Sequence, residues 1–148
     1  MITNPEPDPG RPSMLSALVM RLIERSPERC VMEMPYTAAA QQPLGLFHAG
    51  AILALADTTA TQLLRMAVAD RAGVDADTLD PGTFPLGIQI SGNIIRARRD
   101  CALRAESVPL HVGRSTAVVE TKVRDEDGAL IAAVTTTHVL PGGRPTGG

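Results

Sequence analysis

The chain has 148 residues, of which 44% are hydrophobic and 20% are charged, and its formal net charge at pH 7 is −2. This composition predicts one globular domain with a sizeable core, and the near balance of charge argues against nucleic acid or an anionic membrane as the main partner. Cys30 and Cys101 are the two cysteines, and their spacing fits neither a metal site nor a disulfide framework, which favours a reducing cytoplasm.

The two ends of the chain are rich in proline and glycine and are expected to be flexible tails, over residues 1–12 and 141–148. The first tail lacks the basic start and the apolar stretch of a signal peptide. No run of about 20 apolar residues occurs anywhere, so a membrane span is not expected. A single domain is therefore predicted over residues 13–140.

A short amphipathic helix is predicted directly after the first tail, with Ser13 as its N-cap and Pro27 beyond its end. Its apolar side chains recur at helical spacing: Met14, Leu15, Leu18, Val19, Leu22 and Ile23. The next stretch, CVMEMPY, alternates in polarity and so predicts a strand. The side chains expected to share one face of that strand are Cys30, Met32, Met34 and Tyr36.

The longest predicted helix runs from about His48 to Ala69. Its apolar face is broad enough to be wrapped by a sheet, and consists of Ile52, Leu53, Ala56, Ala60, Leu63, Leu64 and Ala67. Asp57 lies at the edge of this face. A carboxylate in that position is either a satisfied structural group or a functional one, and the residue types alone leave both open.

Four strands are predicted after a polar connection over residues 70–84. They span residues 86–95, 101–110, 116–124 and 129–140, and the separators RARRD, HVGRS and DEDG are typical of turns. Because short turns join them, the strands are expected to pair antiparallel. The element order predicts an α+β fold in which a long central helix packs on a five- to six-stranded antiparallel sheet.

The segment HAGAILALADTTA resembles the His-Gly-Gly-x(6)-Asp pattern of hotdog-fold acyl-CoA thioesterases of the PaaI and 4-hydroxybenzoyl-CoA thioesterase type. GIQISGNIIRARR resembles the family strand that ends in Arg-Pro-Ala, and GRSTAVVETKVRDEDGALIAAVTTT resembles its last two strands, so the resemblance spans residues 30–140. The chain departs from the pattern at Ala49, which replaces the first glycine, and at Ala97, which replaces the proline. The resemblance implies hydrolysis of an acyl thioester at a subunit interface, without a metal or a redox cofactor.

Thioester hydrolysis requires a group that stabilises negative charge on the carbonyl oxygen, and a group that attacks or activates water. A helix start offers free N–H groups, so Ala49 and Gly50 are candidate oxyanion donors, and Asp57 is the candidate nucleophile or general base. Eight residues of helix separate Ala49 from Asp57, a rise of about 12 Å, so one carbonyl cannot contact both groups of the same helix. This predicts a catalytic homodimer, and the choice between a dimer and a tetramer stays open.

The resemblance implies further roles for several side chains. Thr61 is expected to bind the Asp57 carboxylate or the attacking water, and His48 to anchor the helix start. Gln42 is expected to lie near the thioester, and Gln89 to contribute a polar side chain to the substrate site from the partner subunit. Four arginines are candidates to bind the phosphates of coenzyme A: Arg96, Arg98, Arg99 and Arg114. The acyl carrier is either coenzyme A or acyl carrier protein. Because the chain has only two Phe and one Tyr, an aliphatic acyl pocket is favoured over an aromatic one.

Two alternative functions stay open on sequence grounds. A hotdog dehydratase or hydratase acting on β-hydroxyacyl thioesters needs a catalytic histidine paired with the acid. A non-catalytic module that binds or senses acyl-CoA needs no acid at all, so Asp57 argues against it. The connection over residues 70–84 is expected to cap the acyl pocket or a neighbouring subunit.

Overall fold

A computed structural model of the chain describes residues 12–141. It contains two α-helices and six strands. The helices are α1 (Met14–Ala17) and α2 (Ala49–Ala72), and the strands are β1 (Arg21–Arg25), β2 (Cys30–Met34), β3 (Leu86–Ile94), β4 (Leu103–Val112), β5 (Thr116–Arg124) and β6 (Leu130–Val139). Apart from Pro12 and Pro141, the predicted tails lie outside the described residues.

The six strands form one antiparallel sheet in the order β1-β2-β4-β5-β6-β3. Helix α2 packs against one face of this sheet, and side chains from both make one core. The fully buried members include Met32, Leu55, Leu63, Leu103, Val119 and Ile131. The predicted α+β architecture is therefore confirmed, and each of the last four strands begins and ends within two residues of its predicted bounds.

The first predicted helix is wrong in extent. Ser13 does cap it, with a capping box to Ser16, but α1 ends at Ala17 and the chain turns at Val19, whose φ is +55°. Residues Arg21–Arg25 form strand β1 instead, paired with β2. The helical spacing of apolar residues was overridden because the edge of β2 gains a hydrogen-bonded partner.

Helix α2 is capped by His48 before its first residue and by Gly73 after its last, and Gly73 adopts the left-handed conformation that glycine favours at helix ends (φ +67°). It extends three residues beyond the predicted end at Ala69. Within residues 12–141, no helix is long and apolar enough to cross a membrane.

Two arginines hold the connection after α2 against the helix. Arg65 is buried, donates to the carbonyl of Ala76 (2.8 Å) and lies 4.3 Å from the centroid of the Phe84 ring. Arg25 pairs with Asp77 at 2.7 Å. Burial, together with the nearby charge of Arg25, holds the pKa of Arg65 below its usual value. The connection therefore packs on its own chain.

Opposite charges alternate across β1, β2 and β4 on the face of the sheet away from α2. Glu33 pairs with Arg21 on one side (2.8 Å) and with Arg104 on the other (2.9 Å). A second row joins Arg29 to Glu106 at 2.6 Å. The arginines and Glu106 are 43–67% exposed and Glu33 is 21% exposed, so each ion pair is open to solvent on at least one side and contributes little free energy by itself.

Strand β3 forms the other edge of the sheet, and all nine of its residues are exposed. It contains no charged residue. Its large apolar side chains, with the residue that follows, are 40–61% exposed: Leu86, Ile88, Ile90, Ile94 and Ile95. An edge strand that is both apolar and uncharged lacks the usual protection against pairing with another strand.

Candidate active site

Asp57 lies on the side of α2 that faces β3, and its side chain is 42% exposed. With Gly87, Ile88, Gln89 and Ile90 it lines an open cavity of about 260 Å³. A β-carbon at position 87 would lie 3.0 Å from the Asp57 carboxylate, so glycine there leaves room for it. The carboxylate is thus held beside the open edge of the sheet and is accessible to a substrate.

The start of α2 supplies one free backbone donor. The Gly50 N–H donates to His48 Nδ1 at 2.8 Å, and the N–H groups of Ala51 and Ile52 donate to the His48 carbonyl at 3.0 and 3.2 Å. Among residues 12–141, the Ala49 N–H has no acceptor. Of the two candidate oxyanion donors, Gly50 is therefore occupied by the capping contact and Ala49 is free.

Asp57 and Ala49 are not brought together within one chain. Asp57 lies against Gly87, near the first residue of β3. Ala49 lies in a groove of about 450 Å³ that Ile94, Ile95 and Arg96 line at the other end of the strand. Asp57 and Ala49, which the sequence predicts to be far apart along the helix, are thus also far apart along the edge of the sheet.

His138 lies beside the acid, although no sequence motif marks it. Its Nε2 lies 3.2 Å from Thr61 Oγ1 and 3.6 Å from Asp57 Oδ1. The side chain is fully buried, and β6 places it opposite Gly87 of β3. Alternation along TTTHVL, which predicts that Thr136 and His138 share the buried face, is the sequence signal that could have found it.

The polar residues predicted to contact substrate are divided between the two ends of β3. Gln42 lines the groove at Ala49, and its side chain also accepts from the Leu44 N–H. Gln89 lines the cavity at Asp57. Thr61 is half-buried, and its hydroxyl contacts His138.

The four predicted phosphate-binding arginines do not form one cluster. Arg96 lines the groove beside Ala49, and Arg99 is exposed. Arg98 is paired with Asp125 (3.0 Å) and Asp127 (3.6 Å). Arg114 lies near the opposite end of α2, where it lines a cavity with Val68, Ala72 and Leu79.

A second groove, of about 600 Å³, lies on the other side of the α2 start. Its lining is mostly apolar and includes Met14, Ala17, Leu18, Ala39 and Ala51. His48 borders both this groove and the one that holds Gln42 and Arg96. The free Ala49 N–H is therefore flanked by two grooves, both mostly apolar, and Gln42 and Arg96 add polar groups to one of them.

Within residues 12–141, no three or more His, Cys, Asp or Glu side chains are grouped so as to hold a metal ion. Cys30 and Cys101 are both free and buried. Burial raises the pKa of the Cys30 thiol to about 12, so it is not a thiolate near neutral pH. The buried cysteines are therefore poor candidates for the nucleophile, whereas Asp57 is accessible beside the sheet edge.

Comparison with known proteins identifies the family of the chain. Residues 44–132 match the family model of the thioesterase superfamily. ComA2 of Bacillus subtilis (strain 168), which is named as an esterase, is 32% identical over 120 residues, covering 80% of this chain and 86% of that protein. The 1,4-dihydroxy-2-naphthoyl-CoA hydrolase of Escherichia coli (strain K12) is 25% identical over 131 residues, covering 88% of each chain.

The fold is also that of a solved thioesterase from Haemophilus influenzae. The two structures superpose with a TM-score of 0.77 at 22% identity, covering 92% of this chain and 87% of that one. The long helix wrapped by a six-stranded antiparallel sheet is thus the hotdog fold.

Proposed function

Because the chain belongs to the thioesterase superfamily and is a thioester hydrolase, we propose that it cleaves acyl-CoA with Asp57 of one subunit and the Ala49 N–H of another. The observation that carries this proposal is the position of the two groups at opposite ends of one open sheet edge. Each group is accessible, and neither can reach the other within its own chain.

Antiparallel pairing of two β3 strands, centred on Ser91, completes the site. In that register Gly87 of one copy lies opposite Ile95 of the other, since 87 and 95 are equally distant from 91. Asp57, which contacts Gly87, then approaches the groove at Ala49 of the second copy. A two-fold axis produces two such sites in each dimer.

The chemistry of β3 supports this pairing. Its exposed isoleucines would become buried, and the unpaired backbone groups of its outer edge would gain partners. No charged side chain on β3 opposes the approach of a second copy. Two such dimers can associate further into a tetramer.

In the proposed reaction, the thioester carbonyl oxygen accepts the Ala49 N–H at the positive end of α2. The Asp57 carboxylate either attacks the carbonyl carbon, giving an anhydride that water then hydrolyses, or takes a proton from the attacking water. Both routes consume one water and release the free acid and the thiol of coenzyme A. No metal or redox step is needed.

The two grooves at Ala49 suggest how the substrate lies. The groove with Gln42 and Arg96 combines an apolar lining with polar groups at its border, which suits the pantetheine and phosphate portion. Arg99 is exposed three residues further along the chain, whereas Arg98 is already paired with Asp125. Among the described residues, the groove with Met14 and Leu18 is lined by no Phe or Tyr, and it suits an aliphatic acyl chain. The two free, buried cysteines fit a cytoplasmic protein.

The alternatives are less well supported. A dehydratase needs a histidine that contacts the substrate, but His138 is fully buried and His48 Nδ1 is occupied by the Gly50 N–H. A binding module needs neither an accessible carboxylate nor a free amide at the sheet edge, so the presence of both favours hydrolysis over binding alone.

Release of free thiol from a panel of acyl-CoA esters tests the function. We expect turnover, with the highest kcat/KM for medium or long aliphatic chains. Aromatic esters belong in the panel because one relative is named for an aromatic acyl-CoA, and an acyl carrier protein thioester tests the carrier. Tight binding of coenzyme A esters without thiol release would favour the binding module instead.

Hybrid dimers test whether two chains share the site. We expect Asp57→Asn and Ala49→Pro, each nearly inactive alone, to regain about half of the wild-type activity when one copy of each forms a dimer, because one of the two sites is then intact. Differently tagged copies, co-expressed and purified through both tags, give the hybrid for a thiol-release assay. A site contained in one chain would leave the hybrid as inactive as its parents.

A further inference from the structure

We propose that His138 is a positioning residue for the hydrolysis; this inference rests on the proposed function. It donates its Nε2–H to Thr61 Oγ1 and thereby directs the Thr61 hydroxyl proton toward Asp57 and the attacking water. The basis is the group of three side chains in which His138 Nε2 lies 3.2 Å from Thr61 Oγ1 and 3.6 Å from Asp57 Oδ1.

The surroundings of the ring determine which nitrogen carries the proton. His138 Nδ1 is buried and has no partner within residues 12–141, so a proton there would be a buried donor without an acceptor. Nε2 faces the Thr61 hydroxyl and, just beyond hydrogen-bond distance, the Asp57 carboxylate. A carboxylate attracts an N–H and repels a nitrogen lone pair, so the tautomer with the proton on Nε2 is favoured over the one with the proton on Nδ1.

The direction of this hydrogen bond matters for Thr61. On the same helix, Thr59 donates its hydroxyl to the Leu55 carbonyl at 2.6 Å, the usual choice for a threonine inside a helix. The hydrogen bond of Thr61 runs instead to His138. Because His138 is the donor, the Thr61 oxygen is the acceptor, and its own proton is left for Asp57, one turn earlier, or for a water in the cavity.

Packing fixes the ring in this orientation. His138 is fully buried on β6, between β5 and β3, and its opposite residue on β3 is Gly87. A β-carbon at Gly87 would lie 3.6 Å from His138 Nε2 and 3.0 Å from Asp57 Oδ1. The imidazole therefore cannot reach substrate itself, and it acts through Thr61.

Two substitutions and a double-mutant cycle test the proposal. We expect His138→Leu to lower kcat about tenfold with KM nearly unchanged, and His138→Gln, which restores an N–H donor near the Nε2 position, to recover most of the loss. In a Thr61→Val background, His138→Leu should cause no further loss, because its effect passes through Thr61. If the double variant instead loses kcat by the product of the two single-variant factors, the proposal is overturned.

The matched control is Thr136→Val, on the same face of β6 and equally buried, whose hydroxyl has no partner in the described part of the chain. We expect it to leave kcat unchanged, while thermal unfolding monitors the fold of every variant. An equal fall in kcat for Thr136→Val would mean that the strand, rather than the imidazole, is responsible.

Nitrogen-15 spectra of the three histidine rings give a readout that needs no turnover. We expect His138 to show the spectrum of the tautomer with its proton on Nε2, and its shifts to change in Thr61→Val but not in Thr136→Val. A proton on Nδ1 would overturn the proposal even in an active enzyme. If the wild-type protein hydrolyses no ester, the proposed function fails, and these spectra alone decide whether His138 donates to Thr61.

Discussion

Asp57→Asn is expected to lower kcat for thioester hydrolysis by a factor of about 10² to 10⁴, the range for losing a positioned nucleophile or general base. Asparagine has nearly the same shape as aspartate but cannot take up a proton or form the anhydride. Since the Asp57 side chain is 42% exposed, the substitution should change the free energy of unfolding little. Thiol release at saturating acyl-CoA measures the effect.

The matched control is Asp70→Asn, the same change at an exposed position near the end of the same helix. It removes one negative charge from α2 without touching the sheet edge, and kcat should stay at the wild-type value. If Asp57→Asn retained activity while folded and dimeric, Asp57 would be a structural residue, and the binding-module alternative would gain support.

Ala49→Pro is expected to lower kcat by a factor of about 10² to 10³, or about 2.7–4 kcal/mol, the effect of losing one oxyanion donor. Proline lacks the N–H, yet it is well tolerated at the first position of a helix. His48 already has φ −68° and ψ 133°, the extended conformation required before proline. No acceptor for the Ala49 N–H exists within residues 12–141, so no structural hydrogen bond is lost.

Ala49→Gly is the control for this substitution, because it keeps the N–H and should stay within about threefold of wild-type activity. Thermal unfolding of the proline variant should match that of wild type or rise slightly. Full activity in Ala49→Pro would show that the carbonyl oxygen is stabilised elsewhere.

The long elements were predictable from the sequence because their periodicity extends over many residues. Helix α2 and the last four strands are of this kind. The five-residue strand β1 was missed because Leu22 and Ile23 continue the helical spacing of α1, and only pairing with β2 decides the outcome. A five-residue pattern is too short to separate the two periods.

The candidate site was predictable only in part. Asp57 and the helix start follow from the motif, but two contacts that define their chemistry do not. The capping of Gly50 by His48 depends on a side-chain rotamer. The contact between Thr61 and His138 joins residues 77 apart in sequence, and it arises only because α2 packs on β6 beside β3.

The alternating charges across β1, β2 and β4 bear on how the sheet is assembled. In the native alignment Glu33 lies opposite Arg104, and a slip of two residues between β2 and β4 can place it opposite Glu106. Such a slip preserves the buried face, so the apolar side chains alone penalise it weakly, whereas two facing carboxylates repel each other. The ion pairs, although individually weak, thus disfavour this misalignment of β2 and β4 while the chain folds. Because they lie within one chain, they act without a second copy.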